Sequence, residues 1–184
     1  VDADVLTASF ANGKVVVTPF ELVVSVNNQS RVYGAVNPTL TGSVTGVQPG
    51  DNITATYSTP ANASSVAGDY AITATLLDPD TKLGKYNVTI NNGTLTVNKV
   101  ALTVKADDKS KTYDGAVFSG FTSTISGFVN GENDSVVSGT VSYSGVATTA
   151  VNAGSHVITP VVTGLGAANY TFTPVNGTLT VNAK

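Results

Sequence analysis

Few side chains in this sequence can do chemistry. His156 is the sole imidazole in 184 residues, and there is no Cys, Met or Trp. Without thiols there is no zinc thiolate site, thiol nucleophile, disulfide or c-type haem, and a single His does not make a multi-histidine metal centre. The carboxylates form three small clusters, Asp78 with Asp80, Asp107 with Asp108, and Glu132 with Asp134. Ca2+ takes about six to eight hard oxygens, and none of these clusters has the spaced Asp/Asn/Gly loop that supplies them. Solvated turns are therefore expected and no cofactor, with Ca2+ beside Asp107 and Asp108 as the one metal reading kept open. His156 as a proton shuttle would need a matching Ser and Asp, and no such signature accompanies it. Lys105 would form an isopeptide bond with an Asn only if it were buried beside a carboxylate. Tyr33 and Tyr113 have two readings: platforms for sugar rings, or rings that close the end of a sandwich while the hydroxyl bonds backbone and Gly34 or Gly115 allows a tight exit. The structural reading is expected, and no enzyme.

Charge narrows the partners. Lys and Arg number 9 against 12 Asp and Glu, a net charge of -3, whereas binding a phosphate backbone takes clustered basic residues; nucleic acid is excluded. Charged residues are 11%, far below the roughly 25% of ordinary soluble domains, so the wet surface must come from Thr, Ser, Asn and Gly. Such a composition favours an exported protein over a cytosolic enzyme. No apolar run approaches the roughly 18 residues of a membrane helix, and Val1-Asp2-Ala3-Asp4 has neither an initiator Met nor a basic-then-apolar leader. The expectation is a mature or excised piece.

The elements that must position these residues come as a repeat. Asn92-Gly93-Thr94-Leu95-Thr96-Val97-Asn98 returns 84 residues later as Asn176-Gly177-Thr178-Leu179-Thr180-Val181-Asn182. Leu22-Val23-Val24-Ser25-Val26 and Ser30-Arg31-Val32-Tyr33-Gly34 answer to Leu102-Thr103-Val104-Lys105-Ala106 and Ser110-Lys111-Thr112-Tyr113-Asp114-Gly115. Gly50-Asp51 answers to Gly131-Glu132, and Tyr70 to His156, which makes the histidine a stand-in for an amphipathic inward residue. Asn12-Gly13 and the alternation after it match the Asn92-Gly93 stretch. The expected organisation is residues 1–19 as the terminal strand of a preceding repeat, one module over 20–99 and a second over 100–184.

Period-2 alternation makes each module a set of strands. Leu22, Val24 and Val26 form one inward row, Leu95 and Val97 another, Tyr70, Ile72, Ala74 and Leu76 a third, and Tyr86, Val88 and Ile90 a fourth. Asn92-Gly93 predicts a two-residue hairpin turn with positive φ at both positions. The best candidate helix, residues 61–67, is short and rich in Ser. The fold class predicted is all-β: two tandem small antiparallel β-sandwich modules of immunoglobulin-like type in an elongated array, with a β-grasp-like sheet as the alternative. The join from Leu95 to Val104 has no Gly or Pro, which predicts a stiff string of modules.

Tyr33-Gly34, followed by Asn37-Pro38-Thr39-Leu40-Thr41-Gly42 and closed by Asn92-Gly93-Thr94-Leu95-Thr96-Val97-Asn98-Lys99, resembles the MBG domain of YGX type found in large bacterial surface proteins. Lys111-Thr112-Tyr113-Asp114-Gly115, with Ala168-Asn169-Tyr170-Thr171-Phe172 near the end, is similar to the sister YDG domain of filamentous-haemagglutinin-like adhesins. The resemblance implies a secreted, multi-repeat bacterial adhesin or surface protein and brings no catalytic residues. The structural signature is Tyr33, Gly34, Gly93, Tyr113, Gly115 and Gly177. The function expected is a stiff stalk or adhesin module; the alternatives are a glycan- or protein-binding domain, and a fibre subunit assembling by strand donation from residues 12–19. The partners expected are neighbouring repeats of the same chain, surface glycans or proteins, and other copies of the chain.

Overall fold

The computed structural model describes residues 7–11 and 13–184; of the expected terminal strand at 1–19, residues 1–6 and Asn12 lie outside the described residues. The architecture is all-β, in two small modules. Among the described residues the first strands are β1 (Thr7–Ala11) and β2 (Lys14–Thr18), which pair antiparallel with each other.

In the first copy, β3 (Phe20–Val26), β4 (Gln29–Val32), β5 (Gly42–Thr45), β6 (Thr54–Ser58), β7 (Gly68–Leu77), β8 (Tyr86–Asn91) and β9 (Gly93–Asn98) make two sheets, ordered β5-β3-β8 and β4-β9-β7-β6. The second copy repeats the plan. Its strands β10 (Val100–Ala106), β11 (Lys109–Thr112), β12 (Ser123–Ser126), β13 (Ser142–Ser144), β14 (Gly154–Val161), β15 (Tyr170–Val175) and β16 (Gly177–Asn182) are ordered β12-β10-β15 and β11-β16-β14-β13. The chain forms two compact units. One runs to Val97 without residues 32–34; the other is Val32–Gly34 with Asn98–Lys184.

Three of the four inward rows do what their spacing predicts. Leu22, Val24, Ile72 and Leu95 are fully buried in the first unit, and Leu102, Val104, Ile158 and Leu179 in the second. Leu22 packs with Ile53, Tyr86, Val44 and Leu76, so side chains of both sheets share one core. The second unit gathers Ala106, Ala147, Ile158, Leu179 and Val181, with Phe118, Phe121 and Tyr143 against them. Burial of this apolar surface drives each unit to fold.

Four readings of the sequence are corrected. The strand order is not purely antiparallel: β3 pairs parallel with β8, β10 with β15, and β11 with β16. The row Tyr86, Val88, Ile90 is buried only at Tyr86, because β8 is an edge strand and its flank is open; Val88 and Ile90 are exposed. Asn92-Gly93 is not a hairpin turn. Neither residue has positive φ, and β8 and β9 lie in different sheets. Residues 61–67 form no helix but a turn, in which Ser64 N–H donates to Asn62 Oδ1 at 2.9 Å and Ser65 N–H to Asn62 O at 2.9 Å.

The Asn-Gly step serves a crossing. The chain passes from β3 to β4 and from β8 to β9, changing sheets at the same level, and the two backbones touch there. A Cβ on Gly93 would stand 2.8 Å from Asn27 O and 3.0 Å from Val26 O. On Gly177 it would stand 2.3 Å from Ala106 O and 2.9 Å from Ala106 C. Only hydrogen fits, and both glycines are buried. Side chains then lock the crossing. Thr94 N–H donates to Asn28 Oδ1 at 2.8 Å, and Thr178 N–H to Asp108 Oδ1 at 2.8 Å.

Gly177→Ala is expected to destabilise the chain by about 3 kcal/mol, the upper part of the range for overpacking, since backbone must move to admit the methyl. Gly84→Ala, at a site with nothing within 4 Å, should stay within about 0.5 kcal/mol of the parent. Urea denaturation of both variants checks the difference.

Candidate functional site

Each copy sets a tyrosine on a carboxylate beside a four-residue turn. In the first copy the turn is Gln48-Pro49-Gly50-Asp51, closed by Asp51 N–H on Gln48 O at 3.1 Å, with Gly50 at φ +91 as Pro-Gly turns require. In the second it is Val129-Asn130-Gly131-Glu132, closed by Glu132 N–H on Val129 O at 3.0 Å; Asn130 and Gly131 have φ of +55 and +72. This Asn-Gly step, unlike that at 92–93, has both central residues left-handed, as Asn-Gly favours.

Both turns do the same work by different chemistry. The first residue's N–H donates to a phenol oxygen, and the fourth residue's carboxylate accepts that phenol's proton. Gln48 N–H donates to Tyr86 Oη at 2.8 Å, and Tyr86 donates to Asp51 Oδ2 at 2.6 Å. Val129 N–H donates to Tyr170 Oη at 3.2 Å, and Tyr170 donates to Glu132 Oε2. Tyr86 begins β8 and Tyr170 begins β15, so the parallel strands deliver both rings to the same place in their units. Phe20 flanks Tyr86 with ring centroids 5.9 Å apart, and Phe128 meets Tyr170 edge-on at 5.6 Å.

The second oxygen of each carboxylate is used differently. Lys85 Nζ lies 3.8 Å from Asp51 Oδ1. Glu132 Oε1 instead accepts from the hydroxyl of Tyr33 at 3.0 Å, and the Tyr33 ring stands edge-on to Tyr170 at 5.8 Å and 86°. Tyr33 is 5% exposed. Its segment, Val32–Gly34, belongs to the second unit, where a Cβ on Gly34 would fall 2.8 Å from Val129 Cγ2. The Tyr33 hydroxyl therefore bonds a carboxylate, where a backbone partner was expected.

The other signature residues are placed as follows. Tyr113 repeats the main-chain setting of Tyr33: its N–H donates to Asn182 O at 2.9 Å, as that of Tyr33 does to Asn98 O at 2.8 Å. Its side chain is 40% exposed. Gly115 has φ +77, like Gly34 at +82, with open space around it. Gly93 and Gly177 mark the two crossings. The structure thus brings Tyr33 to Glu132 and Tyr170, and leaves Tyr113 apart from them.

The remaining candidates resolve into hydrogen bonding. His156 pairs in register with Leu179, as Tyr70 does with Leu95. Its Nε2 lies 3.0 Å from Asn152 O, while Tyr70 donates to Val66 O at 2.9 Å, so both rings tie down a carbonyl four residues back. Asp78 accepts from the Lys82 and Leu83 N–H groups at 2.9 and 2.8 Å, which caps the short turn at Leu83–Lys85. Asp107 accepts from the hydroxyls of Thr122 and Thr124. Among the described residues no group of three His, Asp or Glu could hold a metal ion. Lys105 is exposed.

Sequence reasoning paired Asp51 with Glu132 but missed the phenols that sit on them. A signal was there: each copy has a tyrosine following its turn carboxylate by a similar distance, Asp51 to Tyr86 and Glu132 to Tyr170. Burial, then the hydrogen bond to the carboxylate, pushes both phenols above their ordinary value. A phenol so held is a neutral donor at physiological pH, not a nucleophile. In the second copy the remaining carboxylate oxygen seats a second phenol, that of Tyr33, and in the first it is paired with Lys85.

The sequence profile of the MBG domain (YGX type) matches residues 22–96 and again residues 102–180. The copy whose motif reads Tyr113-Asp114-Gly115 falls under the same profile as the first. A search of curated proteins finds no match to the chain.

Tyr170→Phe leaves Val129 N–H and one oxygen of Glu132 without the hydroxyl, and is expected to cost about 1–3 kcal/mol in urea denaturation at neutral pH. The pH dependence has two limbs. Tyr86 and Tyr170 favour the protonated form when folded; their stabilisation is complete below the unfolded phenol value near 10 and is lost as pH rises through the folded values. Asp107, lowered first by the Thr122 hydroxyl and then by Thr124, contributes above the unfolded carboxyl value of about 4 and fades as pH falls through its folded value. Stability measured against pH should decline at both ends, and Tyr170→Phe should flatten only the alkaline decline.

Proposed function

The chain belongs to the MBG domain family of YGX type, which it carries twice in tandem, and from this we propose that it is a repeat segment of a secreted bacterial cell-surface protein, a stiff stalk that holds other parts of its protein away from the cell and catalyses nothing. What carries the reading is the nature of the features the two copies share. The glycine crossing, the turn, its carboxylate and the phenol on it recur in both copies, and each serves to hold a small β module in shape. Exposed surface is free to differ between copies. Asp107 and Asp108, the acidic pair beside the crossing, accept hydrogen bonds from Thr122, Thr124 and the Thr178 N–H. The Leu95 to Val104 join, without Gly or Pro, supports stiffness.

Strand donation from residues 12–19 is less well supported. Lys14–Thr18 already spends one edge on Thr7–Ala11, over five residue pairs from Thr7 with Thr18 to Ala11 with Lys14.

Small-angle scattering at high dilution tests the stalk. Its radius of gyration should clearly exceed the roughly 16 Å of one compact globule of this length; a value near that figure would overturn the reading. A glycan array probed with the chain should stay silent, and reproducible binding would move the assignment to an adhesin domain.

A further inference from the structure

Three Asn-Gly steps stand between strands of matching bounds. β8 and β9 meet at Asn92-Gly93, β15 and β16 at Asn176-Gly177, and β1 and β2 at Asn12-Gly13. Moved along the chain by 80 residues, β1 falls inside β8 and β2 inside β9, each ending on the same residue as its counterpart; a shift of 164 lays them on β15 and β16 in the same way. The join that follows matches too. Pro19 alone separates β2 from β3, and Lys99 alone separates β9 from β10. Two closing strands of a module therefore stand ahead of residue 20, where one was expected.

The backbones differ. In both complete copies the step crosses between sheets, its glycine is buried without positive φ, and a Cβ there would meet a carbonyl oxygen at 2.8 Å on Gly93 or 2.3 Å on Gly177. Around Asn12-Gly13 the strands instead fold back on each other, and Gly13 has φ +74, is exposed and has nothing within 4 Å. What separates the two forms is the company each strand keeps. β9 lies between β4 and β7, and β8 lies along β3, so both have partners other than each other. A lone two-stranded hairpin is marginal in water. A β3–β7 assembly without its closing pair would in turn leave the N–H and C=O groups of β3, β4 and β7 open on one side. Each supplies what the other lacks.

We propose that residues 7–18 are the closing strand pair of a further module of this kind, and that the partner they fit is a β3–β7 assembly placed ahead of them in the chain: the hairpin opens, one strand joins each sheet, and Gly13 becomes a crossing glycine. The inference rests on the repeat reading and adds to it a segment with two backbone states. It differs from donation to the edge of a complete copy, which needs no crossing and no glycine.

Hydrogen exchange read by mass spectrometry tests this on a chain in which residues 1–5 are replaced by a second copy of residues 20–85, so that the added Lys85 runs into Leu6, the counterpart of Tyr86. In the parent chain the amides of residues 7–18 should exchange with little protection. In the extended chain their protection should rise about a hundredfold, toward that of residues 86–98. Gly13→Ala should abolish this gain, and should leave the parent unchanged beyond residue 19. Leu6→Tyr offers the added copy's turn carboxylate a phenol, so it should raise the protection of the extended chain further; it is also the second variant should the first extension not fold. Residues 7–18 that stay unprotected in both extended chains, protection in the parent already equal to that of residues 86–98, or an extended Gly13→Ala variant as protected as the extended chain itself overturns the proposal. None of these outcomes alters the radius of gyration of the parent chain, so the stalk reading stands or falls separately.

Discussion

Two chain segments must change sheets at the same level, and they can do so only where their backbones touch. This contact governs each module. It requires hydrogen as a side chain at Gly93 and Gly177, and it puts the carbonyls of Val26 with Asn27, or of Ala106 with Asp107, where a Cβ would otherwise be. It also sets what the neighbouring polar residues do. Asn28 and Asp108 accept from the threonine N–H after each glycine, and Asn27 and Asp107 reach the threonines of the adjoining segment. Residues that look in the sequence like an acidic pair awaiting a cation are thus committed to closing a backbone crossing.

The parallel pairings follow from the crossing. β3 and β8 run side by side in one sheet and continue as β4 and β9 in the other, so the loops between them must carry the chain back to the starting end. One of those loops holds the turn whose carboxylate meets the first residue of the returning strand. Pro49-Gly50 and Asn130-Gly131 are different solutions in backbone angles, yet both bring the fourth residue's carboxylate under a phenol. What repeats between copies is therefore an arrangement of donors and acceptors, with Asp exchanged for Glu and one turn type for another.

Tyr33 and Tyr113 illustrate how one motif yields two surfaces. The backbone setting is the same, and the difference lies in what packs on the ring. A phenol has an apolar body and a polar tip, so it is well placed either buried against another ring with its hydroxyl on a carboxylate or standing half in water. The motif alone does not choose between them.

Most of the inward rows, the duplication and the all-β class were legible because each is local. Alternation of Leu22, Val24 and Val26 marks a buried face whatever lies opposite, and an 84-residue return of Asn-Gly-Thr-Leu-Thr-Val-Asn needs no coordinates to be seen. Asn92-Gly93 misled for the same reason: read locally it is a hairpin, whereas its glycine answers to the carbonyls of residues 26 and 27, far away along the chain. Likewise Val88 and Ile90 have the spacing of a core row, but an edge position leaves them in solvent. By itself, then, the sequence determined the alternation that makes strands and that the module occurs twice. The tertiary structure decided which strands pair, in what direction, which carboxylate meets which phenol and which tyrosine is covered, because those depend on contacts between segments that periodicity does not encode.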